Sequence, residues 1–166
     1  MEKVRGQGHT VSDSATRPAN TTPYTAGDVV GDGAVLEFVN ASARSSEPGI
    51  IQQAIISSSA YVTPAPDLEL WLFDTTVTAD ADNAAFTPTD AELATLVGII
   101  DFSTTTWKTG TATAGVGGNM VCVADNMGIP FNTISNQNSL FGVLVVRNGY
   151  IPISGEIFTV RLQILD

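Results

Sequence analysis

Three observations predict an all-β fold for this chain, an antiparallel β-sandwich with jelly roll as the preferred topology. Seven to nine short runs have strand composition, rich in β-branched and aromatic residues. Gly, Pro, Asn and Ser punctuate the chain between those runs, at the short spacing of sandwich folds. Only one segment carries a helix start signal, and it is too short to cross over between parallel strands.

The elements follow in order. Residues 1–24 read as an extended N-terminal arm, because residues 1–17 contain almost no large apolar side chains and Pro18 and Pro23 refuse helix. The sandwich domain is placed at 25–166. Val29-Val30 stands between turn residues, and Ala34–Val39 has partial strand alternation. Ile50–Ile56 is β-branched and long enough to pair, running through Ser57–Ser59 towards Tyr61–Thr63 before Pro64 and Pro66 break it. Leu68–Phe73 is the strongest strand signal. Leu68, Leu70 and Leu72 share one face, and Glu69, Trp71 and Phe73 the other. With both faces largely apolar, it reads as a central strand or one covered by a partner.

The helix is predicted near 88–97. Thr89 and Glu92 stand at capping-box spacing, where hydroxyl and carboxylate each satisfy an orphan backbone N–H. Leu93, Leu96, Val97 and Ile100 follow at helical spacing, and Gly98 ends the helix early. Met120–Ala124 and Leu140–Arg147 read as strands. Asn148-Gly149 signals a type I′ turn, with Tyr150–Ile153 as the return segment limited by Pro152. Ile157–Leu165 is an alternating terminal strand.

Length allows one domain with a proper core. Charged residues make up only 14% of the chain, against roughly 25% in ordinary soluble domains. Such a surface suits either a protein covered by neighbours or a Thr-rich β domain. The net charge of −10 is uneven. Lys3, Arg5 and Arg17 against Glu2 and Asp13 leave the first 17 residues at +1 and the remainder at −11. An acidic body repels phosphate backbones and anionic membranes, so neither nucleic acid nor membrane is expected as a partner. No apolar run approaches the length of a membrane span or a signal-peptide core, so a cytoplasmic origin is expected.

Catalytic chemistry finds little support. The single histidine, His9, sits in a Gly-rich polar stretch that would not orient its ring. One His and one Cys cannot complete a zinc site. Cys122, between Val121 and Val123, reads as a small buried hydrophobe. Gly115-Val116-Gly117-Gly118 lacks the Lys and Ser/Thr of a P-loop. Asp80 and Asp82 have D-x-D spacing, but Ala84 and Ala85 stand where further oxygen ligands belong, leaving a solvated loop as the simpler reading. Asp28 and Asp32 read as turn chemistry. Glu37 and Glu69 as a glycosidase pair would be unspecific. No enzyme activity and no cofactor is expected. Trp71 reads as core, and Trp107, flanked by Thr and Lys, as the exposed aromatic available to a partner.

Three classes remain: a structural particle component, a glycan-binding module and an unrecognised enzyme. Thr16-Arg17-Pro18-Ala19-Asn20-Thr21-Thr22-Pro23-Tyr24-Thr25-Ala26-Gly27-Asp28-Val29-Val30 resembles the opening of small structural proteins of tailed bacteriophages. The Thr/Ala/Ser-rich strands that follow are similar to those of the capsid decoration (cement) proteins of that group. The resemblance implies a structural virion protein that binds the outer capsid surface and clamps adjacent capsomers. Its implied partners are the major capsid protein and itself, as a homotrimer, with assembly in the bacterial host cytoplasm. Within that reading the capsid contacts come from the arm, through Lys3, Arg5, His9, Arg17, Pro18 and Tyr24. The alternative is a phage head-fibre or tail receptor-binding module whose β-sandwich holds carbohydrate.

Overall fold

The computed structural model describes residues 8–110 and 118–165. Eleven strands and one helical turn lie within them. They are β1 (Gly8–Thr16), β2 (Val29–Val30), β3 (Leu36–Phe38), β4 (Pro48–Ser58), β5 (Asp67–Phe73), α1 (Asp90–Leu93), β6 (Leu96–Phe102), β7 (Lys108–Thr109), β8 (Met120–Ala124), β9 (Ile129–Asn132), β10 (Leu140–Asn148) and β11 (Ile157–Leu165). One sheet runs β1-β11-β4-β8-β7, with β9 also on β4. The other runs β2-β10-β5-β6, with β3 also on β10. Every strand pairing is antiparallel.

The pairing order defines a jelly roll. The first strand lies on the last (β1 on β11), the next inward pair on each other (β2 and β3 on β10), then β4 on β8, and finally β5 on β6. That is one long hairpin, nested from its ends to its tip. Rolling it brings β4 against β11 and β5 against β10, which closes a six-stranded and a five-stranded layer over one core.

Alternation supplies the core. Phe158, Val160, Leu162 and Ile164 of β11, Ile51, Ala54 and Ile56 of β4, and Leu68, Leu70 and Leu72 of β5 are all buried. A buried aliphatic or aromatic side chain contributes about 1.5–3 kcal/mol. Gly142 leaves room for core side chains of β5 and β3, the strands that flank β10 in its own sheet. A Cβ there would meet Leu70 Cδ1 at 2.8 Å and Phe38 Cε2 at 3.0 Å.

Several local expectations change. Residues 8–16, assigned to an extended arm, are extended but registered along all of β11, with Val11 and Ala15 buried. The period-2 burial of small residues made this strand look polar in sequence. The helix is shorter than 88–97: α1 stops at Leu93, although its Thr89–Glu92 capping box forms. Leu96–Phe102 instead pairs with β5, since β-branched residues gain more from a pleated surface than from another helical turn. No type I′ turn forms at Asn148-Gly149, because neither residue has positive φ. Both edges of β10 are already occupied by β2, β3 and β5. Tyr150 turns inward to stack on Tyr24, with ring centroids 5.2 Å apart.

Candidate interaction surface

The two layers treat their outer faces differently. On the β2-β10-β5-β6 layer the outward residues are themselves apolar. Phe73, Phe141, Val143 and Val145 form a second buried cluster with Val29 and Val77. The cover is the chain's own β5–β6 connection, residues 74–95. It runs beside β2 as an added strand, with Val29 N–H donating to Ala84 O at 2.8 Å and Asn83 N–H to Val29 O at 2.9 Å. Phe86 pins it, edge-on to Trp71 at 5.4 Å and to Phe73 at 6.5 Å. The two-faced apolar character of Leu68–Phe73 is therefore satisfied within the chain, on a central strand.

Two polar locks hold this cover. At one end, Asp82 receives Tyr24 Oη–H, the Gly31 N–H at 3.2 Å and the Arg17 guanidinium at 3.5 Å. Arg17 is only 2% exposed. It also donates from Nε to Tyr24 Oη and from Nη1 to Ile153 O at 3.1 Å. Burial, then the Asp82 bond, pushes the Tyr24 phenol well above its ordinary value. At the other end Glu92 accepts the backbone N–H groups of Thr78 and Thr89, each at 2.7 Å. Those bonds hold its carboxyl down at about 2.

The other layer has no such cover among the described residues. Its register sets Ser12, Arg161, Ile55 and Val123 in one row across four strands, and Ser14, Thr159, Ser57, Val121 and Lys108 in the next. A shallow groove lined by Pro48, Ile50, Pro130, Phe131 and Leu165 marks one end. Ser14 and Thr159 hydroxyls bond at 2.8 Å, but most of the face meets solvent.

The expected contact residues divide. Lys3 and Arg5 lie outside the described residues. His9 is half-buried, its Nε2 at 3.1 Å from Asn40 O, and Pro18 is half-buried too. Arg17 and Tyr24 are corrected from surface contacts to interior ones, because their side chains close the lock on Asp82. Trp107 is likewise corrected. It is 8% exposed, and its indole N–H donates to Pro66 O at 2.8 Å. The partly exposed tryptophan is Trp71, whose N–H donates to Glu69 at 2.8 Å and whose ring lies 5.8 Å below the Arg147 guanidinium. Burial pushes the Glu69 carboxyl up, but hydrogen bonds from Arg147 and Trp71 outweigh it and leave it below its ordinary value.

Asp80 and Asp82 do not converge. Asp80 accepts the Thr87 N–H at 3.2 Å, while Asp82 serves the lock, so it is no solvated loop residue. Among the described residues no group of three His, Cys, Asp or Glu is placed to hold a metal ion. Asp28 caps its own turn through Thr25. Cys122 is buried beside Thr106 Oγ1 at 2.9 Å, and burial raises its thiol pKa. Sequence reasoning missed the Arg17–Tyr24–Asp82 lock, whose members stand 58 and 65 residues apart. Its only local signal was an arginine in an otherwise uncharged Pro-rich stretch.

No known protein family matches the sequence, and no curated protein does. Among solved structures, the chain is similar to one in the capsid of Ralstonia phage GP4, at 10% identity and TM-score 0.44, covering 100% of this chain and 88% of that one. It is similar to a chain of the cyanophage Pam1 capsid asymmetric unit, at 12% identity and TM-score 0.39, covering 99% and 89%. Turnip yellow mosaic virus gives 10% identity and TM-score 0.31, covering 99% and 82%. Residue roles do not transfer at such identities.

Proposed function

We propose that this chain is a structural virion protein, a decoration or cement protein that binds the outer surface of a phage capsid and stabilises adjacent capsomers. The observation that carries the reading is the outer face of the β1-β11-β4-β8 layer, which no described residue covers and which is open to a neighbouring subunit of the particle, capsid protein or a further copy of the chain. It combines few charges with exposed Ile50, Val123, Ile157 and Leu165, as suits a contact held by area. The jelly roll also hosts lectins, but that role loses its support here. Trp107 is internal, and Trp71 already packs against Arg147 and Phe86.

In this reading the partners are the major capsid protein and further copies of the chain, as a homotrimer. Lys3, Arg5, His9 and Pro18 are the N-terminal groups that approach the capsid. Co-sedimentation with undecorated capsids tests it. Full-length protein should pellet with capsids, and a Lys3→Ala/Arg5→Ala variant should bind several-fold more weakly. Failure of the full chain to bind any undecorated tailed-phage capsid preparation, at concentrations where it is folded, would remove the reading.

A further inference from the structure

The charges are segregated between the two layers more sharply than composition requires. The six strands β1, β4, β7, β8, β9 and β11 carry one carboxylate among them, Asp13. It turns away from the open face to accept the Glu37 N–H of the opposite sheet at 2.7 Å. The outward rows therefore hold only cations, Arg161 near the centre and Lys108 at the margin. Neither has a carboxylate partner among the described residues. Around them Ile50, Val123, Ile157 and Leu165 are each 39–43% exposed.

Residues 67–101 are the reverse, with eight of the chain's 17 acidic residues and no Lys or Arg. Most of these acids already have partners: Asp82 takes Arg17, Glu69 takes Arg147, and Glu92 takes backbone N–H groups. Asp90 and Asp101 remain exposed, with Asp101 inside the electrostatic reach of Arg147, whose guanidinium is already paired with Glu69. They lie along the β6 edge of the molecule, beside Leu93 and Ile99, which are 40% and 39% exposed. Thus, among the described residues, six of the eight exposed large hydrophobics stand in two patches, one beside Arg161 and Lys108 and one beside Asp90 and Asp101.

From this complementarity we propose that the open face of the β1-β11-β4-β8 layer docks the β6 edge of a second copy. Arg161 and Lys108 meet Asp90 and Asp101, and the flanking apolar side chains close around them. Opposed charge beside exposed apolar area gives both register and burial. Two like faces docked about a two-fold axis would bring Arg161 groups together with no carboxylate between them. The contact is therefore heterologous, compatible with a cyclic trimer and not with a two-fold dimer. The inference deepens the virion reading by assigning the self-contact, but its evidence lies in the chain alone.

Sedimentation velocity of the full chain at low and high salt tests it, with far-ultraviolet circular dichroism confirming that each variant is folded. Wild-type protein should self-associate at tens of micromolar and dissociate as salt rises. Arg161→Glu and Asp101→Lys should each weaken association by about tenfold. The doubly changed chain, with the charges exchanged, should recover most of it. An equimolar mixture of the two single variants should co-assemble better than either alone, since each contact between unlike chains again pairs opposite charges. A wild-type chain that stays monomeric at low salt overturns the proposal. So does association unaffected by either single change, or a doubly changed chain no better than the singles. If the monomeric chain binds capsids and Arg161→Glu abolishes that binding, the face belongs to the capsid: the self-contact fails and the virion reading stands. Self-association with rescue but without capsid binding leaves the contact intact and removes the virion reading.

Discussion

The outer face of one layer is closed by the chain's own β5–β6 connection, while the outer face of the other has no cover among the described residues. On the closed side Phe73, Phe141, Val143 and Val145 lie under Phe86 and Val77. On the open side the equivalent outward positions hold Ser, Thr, Gln and a few aliphatics. A sheet face that must be dry is apolar and has a fixed cover. The open face is wettable without being strongly charged, with Ser12, Ser14 and Thr159 on the same surface as exposed Val123 and Ile157. The difference separates stability from recognition. Side chains on the closed face should change folding, and side chains on the open face should change association.

The largest expected effect breaks the closed side. Replacing Arg17 with Leu leaves the Asp82 carboxylate without its buried cation and Tyr24 without its Nε donor. Removing one member of a buried ion pair costs about 3 kcal/mol, so thermal unfolding should drop by roughly 10 °C. An unchanged melting temperature would show that the lock contributes nothing to the cover. Phe86→Ala comes next. Loss of a partly buried ring contacting Trp71 and Phe73 should cost about 2 kcal/mol. Binding of a hydrophobic dye should rise as the second cluster becomes wet, while far-ultraviolet circular dichroism of the sandwich persists.

Glu156 sharpens the comparison through pH, because it sits buried where the open layer's β11 begins. Burial raises its carboxyl above the ordinary range, against a partly offsetting hydrogen bond from the Ser58 hydroxyl. A folded value above the unfolded one stabilises the protein fully below the unfolded pKa and loses that contribution as pH rises through the folded one. Wild-type stability should therefore fall relative to Glu156→Gln as pH rises from about 4, the ordinary unfolded value, through the raised folded one. Parallel melting curves of the two proteins across that range would contradict it. The smallest effect belongs to Val123→Ser on the open face, expected to alter folding stability by no more than about 0.5 kcal/mol. Chemical denaturation would expose a larger loss, which would mean that this face is packed rather than waiting.

Much of the fold was legible because alternation is a local signal. The inward set of β11, from Phe158 to Ile164, and the leucines of β5 can be read from neighbouring residues alone. So can the Thr89–Glu92 box, whose hydrogen bonds span three residues. The two tryptophans invert the local expectation for an equally physical reason. Trp107 lies between polar residues yet turns into the core, and Trp71 lies between leucines yet points outward. Strand parity and tertiary cover, not the polarity of the flanking residues, decide burial.

The candidate surface was less legible than the fold. Which strands carry carboxylates can be counted along the chain, so the charge segregation was latent there. No local pattern could place Arg161 in a row with Ile55 and Val123, because Arg161 and Ile55 alone stand more than a hundred residues apart along the chain. The same holds for β1, which reads as a polar arm until β11 arrives beside it. By itself the sequence determined the strand content, the single helix start and the acidic balance. Only the tertiary structure decided that first strand pairs with last, that residues 74–95 close one face, and that Arg17 reaches Asp82. Local propensity acts over a few residues, whereas these contacts exist only after the loop between them has been closed and its entropy cost met by burial elsewhere.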